Sequence, residues 1–201
     1  MKLYCFPRSG NSREVKIALH EKNIPFEAVN THAPDFNRED AEFKKASPHG
    51  KVPAIIDGGV YMSEAFEINQ YLEKKQPSPA LLPADEASRA KIREWVAASD
   101  KNFVLKIGLL VIECLLKPKD QQKEETKEKL RAEIAARLAD IDRMLEGREY
   151  LFGEYSLADI SVTPHIAALP ILGTGIPADL KNTTAWFARL QARPSFKQSA
   201  A

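Results

Sequence analysis

The sequence has little cysteine, no motif that a metal would need and no excess of charge of one sign. Its 201 residues include two cysteines, and 29 basic residues balance 28 acidic ones. Cys5 and Cys114 form neither a CxxC motif nor a metal-ligand spacing, so we expect no metal site and no structural disulfide. The balanced charge gives no reason to expect nucleic acid or an acidic membrane as a partner.

Long apolar runs are also lacking. The longest, IGLLVIECLL at residues 107–116, contains Glu113 and falls short of the roughly 20 residues that cross a bilayer. The first residues do not follow the pattern of a secretory signal peptide. We therefore expect a soluble protein of the reducing cytoplasm.

Residues 1–76 alternate strand and helix patterns. The strand-like runs are KLYCF, FEAVN, VPAII and VYM, and helical spacing follows the first and the last of them. A strand, a helix and a second strand form a parallel pair, and a hairpin at Asp57-Gly58-Gly59 adds antiparallel strands. The order βαβ-ββα predicts an α/β domain with a four-stranded mixed sheet.

The second half of the sequence has a different periodicity. Residues 77–85 contain three prolines, which restrict helix continuation. Residues 86–201 show only helical spacing of apolar residues. We predict a first domain at 1–76, a proline-rich linker at 77–85 and an all-α bundle at 86–201.

A turn with two serines, PRSGNSREV at residues 7–15, joins the first strand to the first helix. Helix N-termini carry unpaired N–H groups and partial positive charge, which favour a thiolate. Thioredoxin-type proteins place C-x-x-C in such a turn, whereas S-x-x-S here would have to act on a thiol supplied by a small molecule. Ser12 is predicted to cap the helix. Taken alone, the stretch favours an ordinary turn.

Four further stretches extend the pattern along the chain: SPHGKVPAI at 47–55, SEAFEINQYL at 63–72, YLFGEYSLADI at 150–160 and FARLQARPSF at 187–196. With the serine turn, and in this order, they resemble the cytosolic glutathione S-transferases, most of all bacterial serine-type members of theta-like and zeta-like kind. The resemblance covers residues 2–196. It implies a thioredoxin-like N-terminal domain, a helical C-terminal domain, a homodimer and glutathione as co-substrate.

The resemblance assigns roles to the residues of the first domain. Ser9 would donate its hydroxyl hydrogen to the glutathione sulfur, and Asn11 would orient the site or serve only in the turn. Val52-Pro53 matches a cis-proline dipeptide whose Val52 backbone pairs with the cysteinyl part of glutathione. Lys51 and His49 are candidates for contacting the glycyl carboxylate, with a solvated lysine as the alternative for Lys51.

The next motif departs from the family pattern. Glu64 matches the family's glutamate, but Ala65 stands where a serine hydroxyl usually holds the γ-glutamyl carboxylate. The Ala65 N–H and the helix start could still bind this carboxylate, and Ser63 could partly substitute. The loss of one hydrogen bond to a charged group predicts weakened glutathione binding.

The helical half supplies the remaining candidates. Phe103, Lys106 and Leu110 are expected to contact the second substrate between the domains, and Asp100 is expected to reach the glutathione of the partner subunit. Ser156 and Asp159 form a cap-like S-x-x-D at a helix start, which indicates a folding role. His165 is expected to be a packed histidine.

The sequence thus predicts a glutathione transferase that conjugates a small hydrophobic electrophile. Two alternatives remain open at this stage. A glutathione-dependent disulfide reductase or peroxidase would use the same site, and the serine turn fits it as well. A non-catalytic member that serves protein interaction would be consistent with Ala65.

Overall fold

The computed structural model describes residues 1–200, which form two compact units. The first unit contains residues 1–82 and the last part of the chain, from residue 192 onward. The second unit contains residues 83–191. Among the described residues, no helix is long and apolar enough to cross a membrane.

A four-stranded mixed sheet lies at the centre of the first unit. Its strands are β1 (Lys2–Cys5), β2 (Glu27–Asn30), β3 (Ala54–Asp57) and β4 (Val60–Ser63), in the order β2-β1-β3-β4. The β1–β2 pair is parallel, and the β1–β3 and β3–β4 pairs are antiparallel. This topology confirms the α/β fold predicted for the first half.

Helices cover the sheet because the apolar residues of its strands point to both faces. The helices are α1 (Gly10–Glu21), α2 (Ala41–Ala46) and α3 (Ala65–Lys75). Tyr4 and its cross-strand partner Ala54 are buried in a cluster with Phe43 of α2. Leu3 and Ile55, one position along each strand, have no exposed surface and lie on the opposite face.

A buried lysine joins the ends of α1 and α3. Lys22 has no exposed surface, and its Nζ lies 2.6 Å from Oε2 of Glu73. The same Nζ donates to the carbonyl oxygens of Gln76, at 2.7 Å, and Pro79, at 2.9 Å. Three oxygen partners offset the desolvation of the ammonium group. The bond to Pro79 attaches the beginning of the proline-rich segment to the first unit.

The second unit is entirely helical among its regular elements, which confirms the predicted bundle. Its α-helices are α4 (Glu86–Ser99), α5 (Leu105–Val111), α6 (Glu124–Met144), α7 (Leu157–Ala167) and α8 (Lys181–Ala192). Two π-helical segments, Asp100–Val104 and Ile112–Leu116, flank α5. Short 3-10 helices lie at Lys119–Gln121 and Leu169–Leu172. Its core includes Ile92, Ile134, Leu138 and Trp186.

The start of α7 is a buried network. Ser156 is the N-cap, and a capping box links its side chain and backbone to Asp159. Asp159 also accepts from the Leu151 backbone N–H, at 3.1 Å, and from the Trp186 indole N–H, at 2.8 Å. These bonds agree with the folding role expected for both residues.

The end of the chain differs from the expected domain division. The sequence places residues 86–201 in one helical domain, but α9 (Pro194–Gln198) packs against α1 and belongs to the first unit. Polar contacts account for this placement. Arg193 and Ser195 bind Glu21 of α1, and these contacts hold the segment on the first unit.

Candidate active site

The serine turn lies between β1 and α1, and Ser9 is the N-cap of α1. Ser9 has extended backbone angles, φ −83° and ψ 117°, and its Oγ accepts from the Ser12 backbone N–H at 3.2 Å. The prediction that Ser12 caps the helix is wrong. Ser12 already lies inside the first turn, is 1% exposed, and its Oγ accepts from the Phe6 backbone N–H at 3.3 Å.

The capping bond leaves Ser9 with a hydrogen to donate. A hydroxyl has one hydrogen and two acceptor lone pairs, and the cap uses a lone pair. Ser9 is half-buried rather than enclosed, and Asn11 beside it is exposed. The first turn of α1 contains no acidic residue, so no side-chain carboxylate there offsets the positive helix end. The turn can therefore hold an anion near the Ser9 hydroxyl.

The predicted cis peptide bond is present at Val52-Pro53, directly before β3. Pro53 is buried and Val52 is half-buried, whereas Lys51 and His49 are exposed. The Ser47 hydroxyl donates to the Lys51 carbonyl oxygen at 2.7 Å, which fixes the approach to the dipeptide.

The start of α3 carries an unusual backbone conformation. Glu64 has φ +71° and ψ 119°, which is rare for a residue with a side chain, and it makes no side-chain capping bond. Strained residues of this kind cluster at functional sites. Ala65 is the first helical residue and is 8% exposed, so its backbone N–H belongs to the unpaired group at a helix start.

The register of the sheet brings three of these segments to one edge. Tyr4 of β1 pairs with Ala54 of β3, and Ala54 pairs with Ser63 of β4. The serine turn follows β1, Val52-Pro53 precedes β3, and Glu64 follows β4, so all three segments lie at the same end of the sheet. The predicted glutathione-binding residues of the first unit are thereby brought together.

Neither cysteine supplies a thiol to this edge. Cys5 is free but 2% exposed, and burial raises the pKa of its thiol, with an opposing contribution from Lys16. Cys114, the other free cysteine, lies in the second unit. The described residues include no group of three or more His, Cys, Asp or Glu side chains that could hold a metal ion. The first unit therefore offers no exposed thiol beside the serine turn.

The candidates of the second unit need correction. Phe103 and Leu110 are 2% and 0% exposed, so they are core residues and offer no surface to a substrate. Lys106 is partly exposed and pairs with Glu133 at 2.6 Å. Asp100 is exposed and begins the first π-helical segment. Sequence reasoning missed the apolar side chains that are exposed nearby: Leu105, Leu109 and Ile112.

Comparisons with known proteins identify the family of the chain. The model of the glutathione S-transferase N-terminal domain matches residues 3–80, and that of the C-terminal domain matches residues 105–194. The chain is 30% identical to glutathione S-transferase 3 of Zea mays over 208 aligned residues, covering 100% of this chain and 93% of that protein.

Two solved structures are similar to this chain over 99% of its length. A glutathione transferase from Burkholderia graminis, with two glutathione molecules bound per subunit, has a TM-score of 0.84 and 27% identity, covering 99% of this chain and 86% of that one. A bacterial zeta-class transferase, maleyl pyruvate isomerase, has a TM-score of 0.82 and 26% identity, covering 99% and 96% of the two chains. With two family models over most of its length and a full-length relative, the chain belongs to the glutathione S-transferase family.

Proposed function

We propose that the chain is a glutathione transferase that joins the glutathione sulfur to a small hydrophobic electrophile. The observation that carries the proposal is the Ser9 hydroxyl, which caps α1 and keeps its hydrogen for a ligand. This hydroxyl lies at the same sheet edge as Val52-Pro53 and the Glu64–Ala65 helix start. Family membership supplies glutathione as the thiol that the site itself lacks.

Glutathione would bind along this edge as an extended peptide. The Val52 backbone N–H and C=O would pair with its cysteinyl residue, as in the addition of a strand. The unpaired N–H of Ala65 and the Glu64 backbone would receive the γ-glutamyl end, and exposed Lys51 or His49 would reach the glycyl carboxylate. Ala65 has no hydroxyl for the γ-glutamyl carboxylate, so this contact is the weak part of the site.

The chemical step would then rest on stabilising a thiolate. The Ser9 O–H would donate to the glutathione sulfur, and the positive end of α1 would favour the anion, so the pKa of the bound thiol falls. The bound thiol would release its proton to water, and the thiolate would attack the electrophilic carbon. The carbon–sulfur bond would form as the leaving group departs with its bonding electron pair. Positioning and the larger thiolate fraction together accelerate the reaction. Asn11 would help to orient the sulfur.

The other assignments follow from the same proposal. On the second unit, Lys106 and the exposed side chains of Leu105 and Leu109 are the candidates for contacting the electrophile. We also propose a cytoplasmic homodimer, which is typical of the family, in which Asp100 reaches the glutathione of the other copy. Membership among bacterial serine-type, theta-like or zeta-like proteins is part of the proposal, because the relatives include plant and zeta-class proteins.

The decisive experiment compares two serines of one turn. We expect Ser9→Ala to lower the rate of conjugation of chlorodinitrobenzene about 10²- to 10³-fold, as for other lost donors to a reacting anion. Ser12→Ala is the matched control, because its hydroxyl accepts only within the turn. It should lower thermal stability and leave the rate near that of the wild type.

Calorimetric titration with glutathione completes the test. The wild type should bind glutathione, with an affinity limited by Ala65, and Ser9→Ala should bind it nearly as well because the γ-glutamyl and glycyl contacts remain. An absence of binding at millimolar glutathione would remove the enzymatic proposal. A wild-type rate for Ser9→Ala would remove Ser9 from the mechanism.

A further inference from the structure

The helix that carries Ser9 is held at both of its ends by the last residues of the chain. We use the name C-terminal clasp for four residues: Arg193, Ser195, Phe196 and Ser199. Phe196 and Ser199 contact the first turn of α1 through Arg13, and Arg193 and Ser195 contact its last residue, Glu21. The contact at Arg13 lies close enough to Ser9 to affect its position, whereas the contact at Glu21 does not.

At the first turn, the Arg13 guanidinium is anchored in three ways. Its Nε donates to the Ser199 hydroxyl at 3.1 Å, and its second terminal nitrogen donates to the Phe196 carbonyl oxygen at 3.1 Å. Its central carbon lies 4.0 Å from the centroid of the Phe196 ring, which adds a cation–π contact. The planar guanidinium is thereby fixed in position and orientation, as a lysine ammonium would not be.

The backbone of Arg13 is bonded directly to Ser9. The Arg13 N–H donates to the Ser9 carbonyl oxygen at 3.0 Å, and this is the first hydrogen bond of α1. The Ser9 Oγ also accepts a hydrogen bond from the Ser12 backbone N–H. The conformation of Ser9 therefore depends on where the first turn lies, and the side chain of Arg13 ties that turn to Phe196 and Ser199.

We propose that Arg13 is a positioning residue, which uses Phe196 and Ser199 of the C-terminal clasp to hold the Ser9 hydroxyl and the positive end of α1 in the geometry that stabilises the thiolate. The inference rests on the proposed function and adds a second requirement for it, the contacts of Arg13 with Phe196 and Ser199. No contact between Arg13 and a substrate is needed, because Arg13 acts through the turn.

The other end of α1 provides a matched control. Arg193 donates to the two carboxylate oxygens of Glu21 at 2.7 and 2.8 Å, and the Ser195 hydroxyl donates to Glu21 at 2.5 Å. Glu21 is the last residue of the helix, 12 residues after Ser9. At 1.5 Å per residue, this contact lies about 18 Å from the cap. It can stabilise the clasp but is too far away to orient the hydroxyl.

The experiment uses full-length protein carrying Arg13→Met, Arg13→Lys or Phe196→Leu, beside the control pair Glu21→Gln with Arg193→Gln. The readouts are kcat and KM for chlorodinitrobenzene and the pH dependence of the ultraviolet absorbance of bound glutathione thiolate. Arg13→Met should lower kcat about tenfold with little change in the KM for glutathione, since a small misplacement of a catalytic group has effects of this size or larger. The thiolate absorbance should appear at higher pH.

The remaining variants separate positioning from stability. Phe196→Leu keeps the carbonyl acceptor and should give a smaller loss of kcat than Arg13→Met, and Arg13→Lys should fall between the wild type and Arg13→Met. The control pair should lower the melting temperature while kcat and the thiol pKa stay those of the wild type. If Arg13→Met does not fold, Arg13→Lys and Phe196→Leu carry the same test.

Two results would overturn the inference. One is a wild-type kcat and thiol pKa in the folded Arg13 and Phe196 variants, and the other is an equal loss of kcat in the control pair. Ser9→Ala in the same assays keeps this failure apart from failure of the proposed function. If Ser9→Ala loses activity and the Arg13 variants do not, only the positioning role fails.

Discussion

Among the α-helices that the structure describes, α1 and α7 begin with a serine N-cap, and only the start of α7 is closed, that is, buried and provided with its own carboxylate. At α7, Ser156 is 4% exposed, and Asp159 in the first turn accepts from the Ser156 backbone, the Leu151 backbone and the Trp186 indole. At α1, Ser9 is half-buried, accepts one capping bond and has no acidic residue in the first turn.

Similar serine caps therefore serve different purposes: the cap of α7 serves folding, and the cap of α1 can serve ligand binding. Both caps satisfy a backbone N–H, but α7 also supplies its own carboxylate for the positive helix end, whereas the first turn of α1 leaves that position without one. A closed start contributes stability and has no place for a ligand. An open start contributes less stability and can receive an anion from outside the chain.

The largest expected effect comes from breaking the closed start. Asp159→Ala leaves two backbone N–H groups and the Trp186 indole N–H without their acceptor in a buried site. Each such donor costs about 1–3 kcal/mol, so we expect a loss of about 3–5 kcal/mol in the free energy of unfolding. Chemical denaturation of the full-length protein measures this loss.

An exposed cap of the same residue type is the control. Asp85 caps α4, and its Oδ1 accepts from the Ser88 backbone N–H at 2.8 Å. Asp85→Ala should lower the free energy of unfolding much less than Asp159→Ala does, because water can replace the lost acceptor at an exposed cap. Equal losses in the two variants would contradict the view that burial makes the α7 start special.

The next effect tests whether the buried surroundings of His165 in α7 exclude a positive charge. His165 lies in α7, and burial lowers its pKa from 6.5 to about 4. Since the unfolded chain binds this proton more readily, stability is full above pH 6.5 and decreases as the pH falls toward 4. The shift corresponds to a loss of about 3 kcal/mol, which His165→Gln should remove. If the free energy of unfolding depends on pH in the same way in His165→Gln and the wild type, His165 is not the source of the loss.

The sequence predicts the elements that depend on local pattern. The βαβ-ββα order, the helical second half, the S-x-x-D cap and the cis-proline dipeptide all follow from short stretches and from the resemblance. The choice between Ser9 and Ser12 as cap does not, because both stand before an amphipathic helix. In the structure Ser9 accepts from the Ser12 backbone N–H, whereas the Ser12 hydroxyl accepts from the Phe6 backbone N–H, which precedes the turn.

Two further differences have long-range causes. The run at 107–116 has apolar residues at most positions, and π-helical segments beside α5 shift the phase of the helix. Spacing alone therefore cannot tell core Leu110 from exposed Leu109. The packing of α9 on α1 depends on Arg13 and Glu21, which lie nearly the whole chain away from their partners. No local periodicity encodes such contacts.

The smallest expected effect concerns a third helix start, that of α3, which we compare with the starts of α1 and α7. Glu64 gives α3 no side-chain capping bond, and Ala65 has no hydroxyl, so this start is open and lacks one donor to its proposed ligand. Ala65→Ser should tighten glutathione binding about ten- to a hundredfold, the equivalent of one hydrogen bond to a charged group. Calorimetric titration measures the change in Kd, and the melting temperature should change little.

Ser63→Ala tests whether a neighbouring hydroxyl already supplies part of this contact. Ser63 is the last residue of β4 and is half-buried. If Ser63 contributes, Ser63→Ala weakens glutathione binding in the wild type and has a smaller effect in the Ala65→Ser background, because the new hydroxyl then holds the carboxylate. An unchanged Kd in Ala65→Ser would show that the γ-glutamyl carboxylate does not bind at the start of α3. An open helix start would then be insufficient to identify a ligand site in this chain.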